Sequence, residues 1–356
     1  MVGQAELARG AARPLRWAAW LTVERAAYAL VVLVALGVRL LRLDAWSLTP
    51  AEAAQALPAL AATAGVQPDL AGLSPLLYTL QRAVFTLFGA TDFAARILPA
   101  LLGGLSPLLF YALRDRLGRG GALAAAALWA VSPLAVWSSR LALGDALVPT
   151  LALAALAALA NFTRPGLGES VGARGTAAAW LGIALGLLLV SGKNAYTVLL
   201  AAAVAAAWWP GGTRRVFTLA QRERKALLIG LGAAALLGAT FFFLSPWAFA
   251  SAVGLAGQWV TGLFAVGGDY SAWDILRRLL ISEIALLGFA VAGLVWSIRN
   301  RDRLGQWAGL AAGLALLFAL VGRARHPVDL ALVALALTLL AGPAVSRVLT
   351  NAWTWR

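Results

Sequence analysis

The chain has 356 residues, 62% of them hydrophobic and only 12% charged, about half the charged share of an ordinary soluble domain. Its mean hydropathy is +0.82, and long apolar runs recur throughout, which excludes a soluble globular domain, a disordered chain and a coiled coil. The absence of cysteine excludes disulfides, iron–sulfur clusters and thiol nucleophiles, the single His326 excludes a bis-histidine haem, and the net charge of +14 must be sorted by membrane side before it is read as a partner signal.

Residues 1–25 form an expected cytoplasmic segment with Arg9, Arg13 and Arg16 and an interfacial patch at Trp17–Val23. The competing reading, a cleaved signal peptide, lacks a small-x-small site after the apolar run Ala26–Val38. A single transmembrane domain is expected over 26–345, with spans at 26–43, 93–113, 121–138, 146–163, 176–191, 195–209, 226–244, 276–297, 304–321 and 327–345, followed by a short cytoplasmic tail at 346–356. An outer loop and an interfacial helix occupy 44–92. The segment Ser74–Gly89 is apolar, but it opens with Ser-Pro and carries Gln81 and Arg82 at its middle. An arginine at the bilayer centre costs about 2.5–3.5 kcal/mol on insertion scales, so this segment is predicted to lie on the outer face. Ten spans with both termini inside then put 19 of the 29 Lys/Arg on the cytoplasmic side, including the cluster from Arg214 to Lys225. Inside carries about +13 and outside about +1, so most of the net charge reports orientation and anionic lipid rather than nucleic acid.

The informative charges are therefore the outer ones. Glu52 follows Thr49-Pro50, a helix-start pattern, where an acid complements the helix dipole. Arg140 and Asp145 share the loop SSRLALGDALVP, in which Asp145 opens the next span as a cap. Lys193 sits in a short Ser-Gly-Lys-Asn turn, where snorkelling to headgroups is the plain explanation. Arg323, Arg325 and His326 crowd the turn Gly322–Pro327, and cations clustered on that side suit a phosphate. Glu283 is read as an intramembrane acid two turns into a span. Asp274/Arg278 and Asp92/Arg96 have i,i+4 spacing and suit structural pairs. There is no Walker A loop, no strand-linked GxGxxG and no HExxH. Gly182/Gly186 and Gly309/Gly313 have spacing for close helix packing.

The order of several motifs resembles a known family. Arg39–Arg42 closes the first span; Trp46-Ser-Leu-Thr-Pro-Ala-Glu-Ala follows. Then come Ser74-Pro-Leu-Leu-Tyr78, Leu87-Phe-Gly89, Ala95-Arg96-Ile-Leu-Pro-Ala-Leu101, Ser132-Pro133, Ser139-Arg140, Asp145, Lys193 and the turn Arg323–Pro327. This order is similar to that of the multi-spanning glycosyltransferases of the C superfamily, which use polyprenyl-phosphate sugars; the protein O-mannosyltransferases and the lipid A aminoarabinose transferases are members. The likeness is strongest over 26–200. It implies an all-α fold with about ten transmembrane helices and an outer-face interfacial helix, in a bacterial plasma membrane. It also implies sugar transfer from a polyprenyl-phosphate donor at the outer face, among membrane lipids and without nucleic acid.

Carried over to this chain, the resemblance makes Arg140, Lys193, Arg323, Arg325 and His326 the lipid-phosphate site and Glu52 and Asp145 the acids. No metal-ligand residues are assigned, though a divalent cation such as magnesium or manganese is compatible with this chemistry. Cations stabilise a leaving phosphate, and an acid removes the acceptor proton. This chain departs from the family in having Ala51 where the family has its catalytic Asp, Leu73-Ser74-Pro75 where a His is usual, and His326 where an aromatic is usual. Only 11 residues follow the last span, whereas some relatives carry a large soluble C-terminal domain. Two alternatives remain open at this point: an inactive copy serving as a structural or accessory subunit of a membrane complex, and, through Glu283, a transporter of lipid-linked or small anionic substrates.

Overall fold

The computed structural model describes residues 22–164, 166, 172–208, 210–264, 270–323 and 325–354. Most of the expected N-terminal segment, including Arg9, Arg13 and Arg16, lies outside the described residues, as does Asp269. Every regular element among the described residues is helical.

Helix α1 (Val23–Leu40) is capped by Thr22. Its 18 residues reach about 27 Å at the helical rise of about 1.5 Å per residue, close to the hydrocarbon thickness. Helices α2 (Pro50–Thr63) and α3 (Pro75–Phe88) each open on a hydroxyl followed by proline, Thr49-Pro50 and Ser74-Pro75. The hydroxyl accepts an orphan backbone N–H, and proline has none to leave unpaired. Helix α4 (Asp92–Leu105) runs through a tight turn at Ser106–Leu108 into α5 (Leu109–Ala112), and α6 (Arg114–Leu117) closes the connection. Helices α7 (Arg119–Val131) and α8 (Pro133–Ser139) meet at a 59° bend. Then follow α9 (Gly144–Phe162), α10 (Ala173–Leu189), α11 (Ala195–Trp208), α12 (Pro210–Arg222), α13 (Arg224–Thr240) and α14 (Phe249–Phe264). The chain continues with α15 (Ala272–Ser282), α16 (Ile284–Arg299), α17 (Arg303–Val321) and α18 (Leu330–Thr354).

Each of the ten expected spans overlaps one of these helices. Among the described residues, four stretches are individually long and apolar enough to cross a membrane, Asp92–Ala112, Gly144–Phe162, Arg303–Val321 and Pro327–Asn351, or up to seven if each bent pair counts as one span. The span expected at 276–297 is corrected. Its first part belongs to α15, which meets α16 at 86°, so the transverse segment starts after Glu283. The interval between the seventh and eighth expected spans, read as loop, contains α14.

Contacts trace two ends. At one end, Tyr28 packs edge-on against Tyr111 with ring centroids 5.3 Å apart. Arg116 donates to Thr163 at 3.1 Å, Arg164 pairs with Asp115 at 3.2 Å, and Arg347 lies over Trp296. At the other end, α3 stays throughout: Ser74 reaches the turn after α10, Gln81 donates to Ala95 O at 3.2 Å, and Arg82 lies over Phe241 after α13. Helix α14 stays there too. Gln258 adjoins Gly72, Trp259 donates to Thr197 at 2.9 Å, and Gly262 O accepts from Arg323 N at 3.0 Å. Both α3 and α14 therefore lie across one end of the bundle. Ala56, Ala59, Tyr78, Phe85, Ala95 and Ala248 form a small core of their own there, apart from the main one that runs between the transverse helices.

The bend between α7 and α8 is held by two charged side chains. Pro133 has no N–H to give Trp129 O; fully buried Arg39 supplies one at 3.2 Å and donates to Ala130 O at 2.8 Å and Ser139 Oγ at 3.0 Å. On the other side of the bend, Glu283 Oε1 accepts from Leu134 N at 2.9 Å and from Ser132 Oγ at 2.5 Å. The two bends thus meet at one point, and Glu283, 3% exposed, serves as the cap of α8 rather than as a free intramembrane acid.

Candidate functional site

Glu52, the first of the two expected acids, is held by a dense set of hydrogen bonds. It is fully buried, and both carboxylate oxygens face Arg96: Nε donates to Oε1 at 2.7 Å and Nη2 to Oε2 at 2.8 Å. Oε1 also accepts from Ala142 N at 2.9 Å, and Oε2 from Thr49 N and Thr49 Oγ1, each at 3.0 Å. Burial alone would raise the Glu52 pKa; the bonds from Arg96, Ala142 and Thr49 outweigh it and hold the carboxyl below the usual glutamate range. Arg96 spends its remaining N–H groups on the carbonyls of Leu43, Trp46 and Ser47. The expected i,i+4 partner Asp92 makes no ion pair with it; the partner is Glu52, 44 positions away. Glu52 has no lone pair or access left for a substrate proton. It ties the segment that opens α2 to the Arg140 loop.

Two of the expected phosphate clamps are committed in the same way. Arg140 donates to Val38 O at 2.8 Å, Leu41 O at 3.0 Å and Arg42 O at 2.9 Å, closing the C-terminus of α1. Arg325 donates from Nε to Leu320 O at 3.0 Å, at the end of α17. Orphan carbonyls at a helix end attract such donors.

Asp145, Lys193 and His326 do come together, through residues that sequence reasoning passed over. Asp145 Oδ1 accepts from Asn194 N at 3.0 Å, and Asn194 Nδ2 donates to Asp329 Oδ1 at 2.7 Å. Asp329 Oδ2 accepts from His326 N at 3.1 Å, and His326 Nδ1 accepts from Val328 N at 3.2 Å. The imidazole stacks on Trp137 with centroids 6.3 Å apart and meets the Tyr270 ring edge-on at 6.0 Å. Gly192 is required beside this network, since a Cβ there would press on Asp145 and on backbone. Lys193 lies within electrostatic reach of Asp145, yet it makes no ion pair among the described residues. It lines a cleft of about 450 Å³, counting the open mouth, with Asn194, Gln258, Trp259, Phe318 and Asp329. Gly322 is on its rim, and the exposed Arg323 follows.

The arrangement provides an ammonium in an open cleft, two carboxylates bridged by Asn194, and aromatic walls. A divalent cation fits it poorly. Three of the four Asp145 and Asp329 oxygens already accept N–H donors, short of the six oxygens that magnesium favours. No group of three or more His, Asp or Glu residues that could hold a metal occurs among the described residues. Asn194 and Asp329 were legible only as an amide next to Lys193 and an acid near Pro327; nothing local in the sequence says that they bond.

Residues 72–240 match the family model for dolichyl-phosphate-mannose-protein mannosyltransferase. No curated protein matches the chain. Among solved structures, ArnT from Cupriavidus metallidurans in the apo state superposes with a TM-score of 0.67 at 21% identity, covering 92% of this chain and 60% of that one. The same protein bound to undecaprenyl phosphate gives 0.61 at 20% identity, covering 94% and 62%. The S. cerevisiae protein O-mannosyltransferase Pmt1–Pmt2 complex bound to the sugar donor gives 0.52 at 22% identity, covering 64% and 34%. This chain thus spans about three fifths of the ArnT chain it matches.

Proposed function

We propose that this chain, which has the fold of the multi-spanning glycosyltransferases that use polyprenyl-phosphate sugars, binds such a donor and passes its sugar to an acceptor at the membrane face where α3 and α14 lie. The observation that carries this reading is the uncommitted ammonium of Lys193 in a cleft beside the Asp145–Asn194–Asp329 network. The likeness to a structure holding undecaprenyl phosphate supports it. When the glycosidic bond breaks, the lipid phosphate leaves as an anion, and Lys193, with Arg323 at the rim, offsets the developing charge. Asp145, whose Oδ2 takes no donor among the described residues, receives the proton of the acceptor hydroxyl. Glu52, Arg96, Arg140 and Arg325 hold the loops in place. On this reading the chain is a ten-span protein of a bacterial plasma membrane, with both termini cytoplasmic and the cleft facing out.

The test is transfer from a polyprenyl-phosphate sugar by the purified full chain. Lys193→Met and Asp145→Asn should each lower turnover by about a hundredfold or more, the scale of a lost electrostatic or acid–base group, with the fold intact. Unchanged transfer in both variants would overturn the site.

A specific observation favours a second reading. Ala51 presents a methyl where the family it resembles has its Asp, and the neighbouring Glu52 is consumed by Arg96. Under that reading the chain binds the lipid phosphate without turnover, as a subunit of a membrane complex. Lys193→Met then weakens carrier binding while neither the parent chain nor the Lys193 and Asp145 variants show transfer, and Ala51→Asp, at an exposed first-turn position of α2, is the one substitution expected to introduce it.

A further inference from the structure

The end of the bundle opposite Lys193 holds a second cavity, about 530 Å³ counting its open mouth, between α16, α17 and α18. Sugar transfer makes no use of it. Arg116, Trp296, Ser297, Asp302, Pro343 and Arg347 are among its lining residues. The Arg347 guanidinium stacks over the Trp296 ring with its carbon 3.1 Å from the centroid. Stacking fixes the plane of the guanidinium and so aims its N–H fork. Its Nη1 is buried and has no hydrogen-bond partner among the described residues, and folded proteins rarely leave such a donor unpaired.

The one acid in this lining is already occupied. Asp302 caps α17, accepting from Leu304 N and Gly305 N, both at 3.3 Å, and it faces Ser297 Oγ at 3.5 Å. It neutralises the helix N-terminus and acts on Arg347 only at a distance, with no ion pair to either arginine among the described residues. Arg116 gives one N–H to Thr163 and is otherwise exposed. The remaining wall is apolar, from Gly293, Leu339 and Leu340, and the flanks of α16 and α18 carry exposed Val295, Ile298, Val348 and Leu349.

We propose that this cavity binds a phosphate-ester oxyanion, held by the stacked fork of Arg347 with Arg116 beside it. A guanidinium fork matches the geometry of phosphate oxygens. The apolar flanks suit the acyl chains of an anionic lipid whose headgroup enters the cavity; inorganic phosphate offers the same oxygens without the chains.

The experiment uses the full chain, purified in detergent and stripped of lipid, with native mass spectrometry and thermal unfolding as readouts. Phosphatidylglycerol, diacylglycerol and inorganic phosphate are added in separate arms. The expected result is a phosphatidylglycerol adduct that raises the unfolding temperature. Its occupancy falls about tenfold or more in Arg347→Gln, the scale of one charge-assisted hydrogen bond, and is unchanged in Arg215→Gln on α12. Stabilisation by inorganic phosphate alone, again lost in Arg347→Gln, assigns the site to the free anion. If Arg347→Gln fails to fold, Arg347→Lys keeps the charge without the fork and Trp296→Leu removes the stack; both should bind more weakly. Diacylglycerol binding as well as phosphatidylglycerol, or these variants binding both phosphate ligands as the parent does, would overturn the proposal.

Discussion

Several charged residues of this chain serve the backbone rather than a substrate. Glu52 is the clearest case: five hydrogen bonds converge on a carboxylate with no solvent contact. Removing it leaves Arg96 buried without its counter-charge, a situation that typically costs about 3–5 kcal/mol. Glu52→Ala should therefore lower the unfolding temperature and loosen the outer loops, where an ordinary catalytic substitution leaves the fold intact. Thermal unfolding of the purified variant checks this; a parent-like transition would return Glu52 to the list of candidate bases. The pH dependence has a fixed sign. The folded carboxyl titrates below its unfolded value of about 4.3, so its stabilisation is complete above that pH and is lost as pH falls through the lower, folded value. Acid unfolding of the parent should be steeper below about pH 4 than that of Glu52→Gln, as followed by tryptophan fluorescence. His326 departs from a free clamp in another way: its imidazole, between Trp137 and Tyr270, helps to shape a wall.

At the level of elements, glycine spacing and proline breaks decide how helices meet. A Cβ at Gly182 would collide with Leu227 O, one at Gly186 with Leu231 O, and one at Gly230 with Ala179 O. Helices α10 and α13 therefore run parallel in backbone contact, as small residues allow in a membrane. Gly313, with the same spacing to Gly309, has nothing within 4 Å. Gly182→Val should destabilise the protein by a few kcal/mol, of order 1–3 for overpacking and more where backbone must move, while Gly313→Ala should be neutral or slightly stabilising. Comparing the unfolding temperatures of the two variants checks the pair. The α7–α8 break makes a second test. Arg39→Met strands the carbonyls of Trp129 and Ala130, costing about 1–3 kcal/mol for each unsatisfied group. Pro133→Ala restores an N–H for Trp129 O, so the double variant should lose less than the sum of the single changes. Additive losses would show that Arg39 does not serve the break.

At the level of the whole molecule, the arrangement is a transverse bundle with one end covered by α3, α14 and the turns around Lys193 and His326. The absence of native cysteine makes this directly testable. Single cysteines at Trp46, Trp273 and Phe242, all exposed, should be modified by a membrane-impermeant thiol reagent from the same side of a sealed vesicle. Cysteines at Arg119 and Arg299, exposed at the opposite end, should react only once the membrane is opened. Labelling of Trp273 and Arg299 from one side would refute the transverse course of α16.

The sequence by itself determined the membrane class, the positions of the apolar segments and that Ser74–Gly89 does not cross with the other helices, because transfer into a bilayer depends on the residues of one local stretch. It also showed the motif order on which the family resemblance rests. Only the tertiary structure decided which charges are free. Arg140 is spent on the end of α1 and Glu283 on the start of α8, while Lys193 keeps its ammonium. The helix at 249–264 also went unseen, because an apolar stretch that lies across the end of a bundle looks like loop or span until its contacts are known. Glu52 and Arg96 are 44 positions apart, Arg39 and Ser139 are 100, and Asn194 and Asp329 are 135. Partners at such separations are set by how helices pack, and no local pattern encodes them.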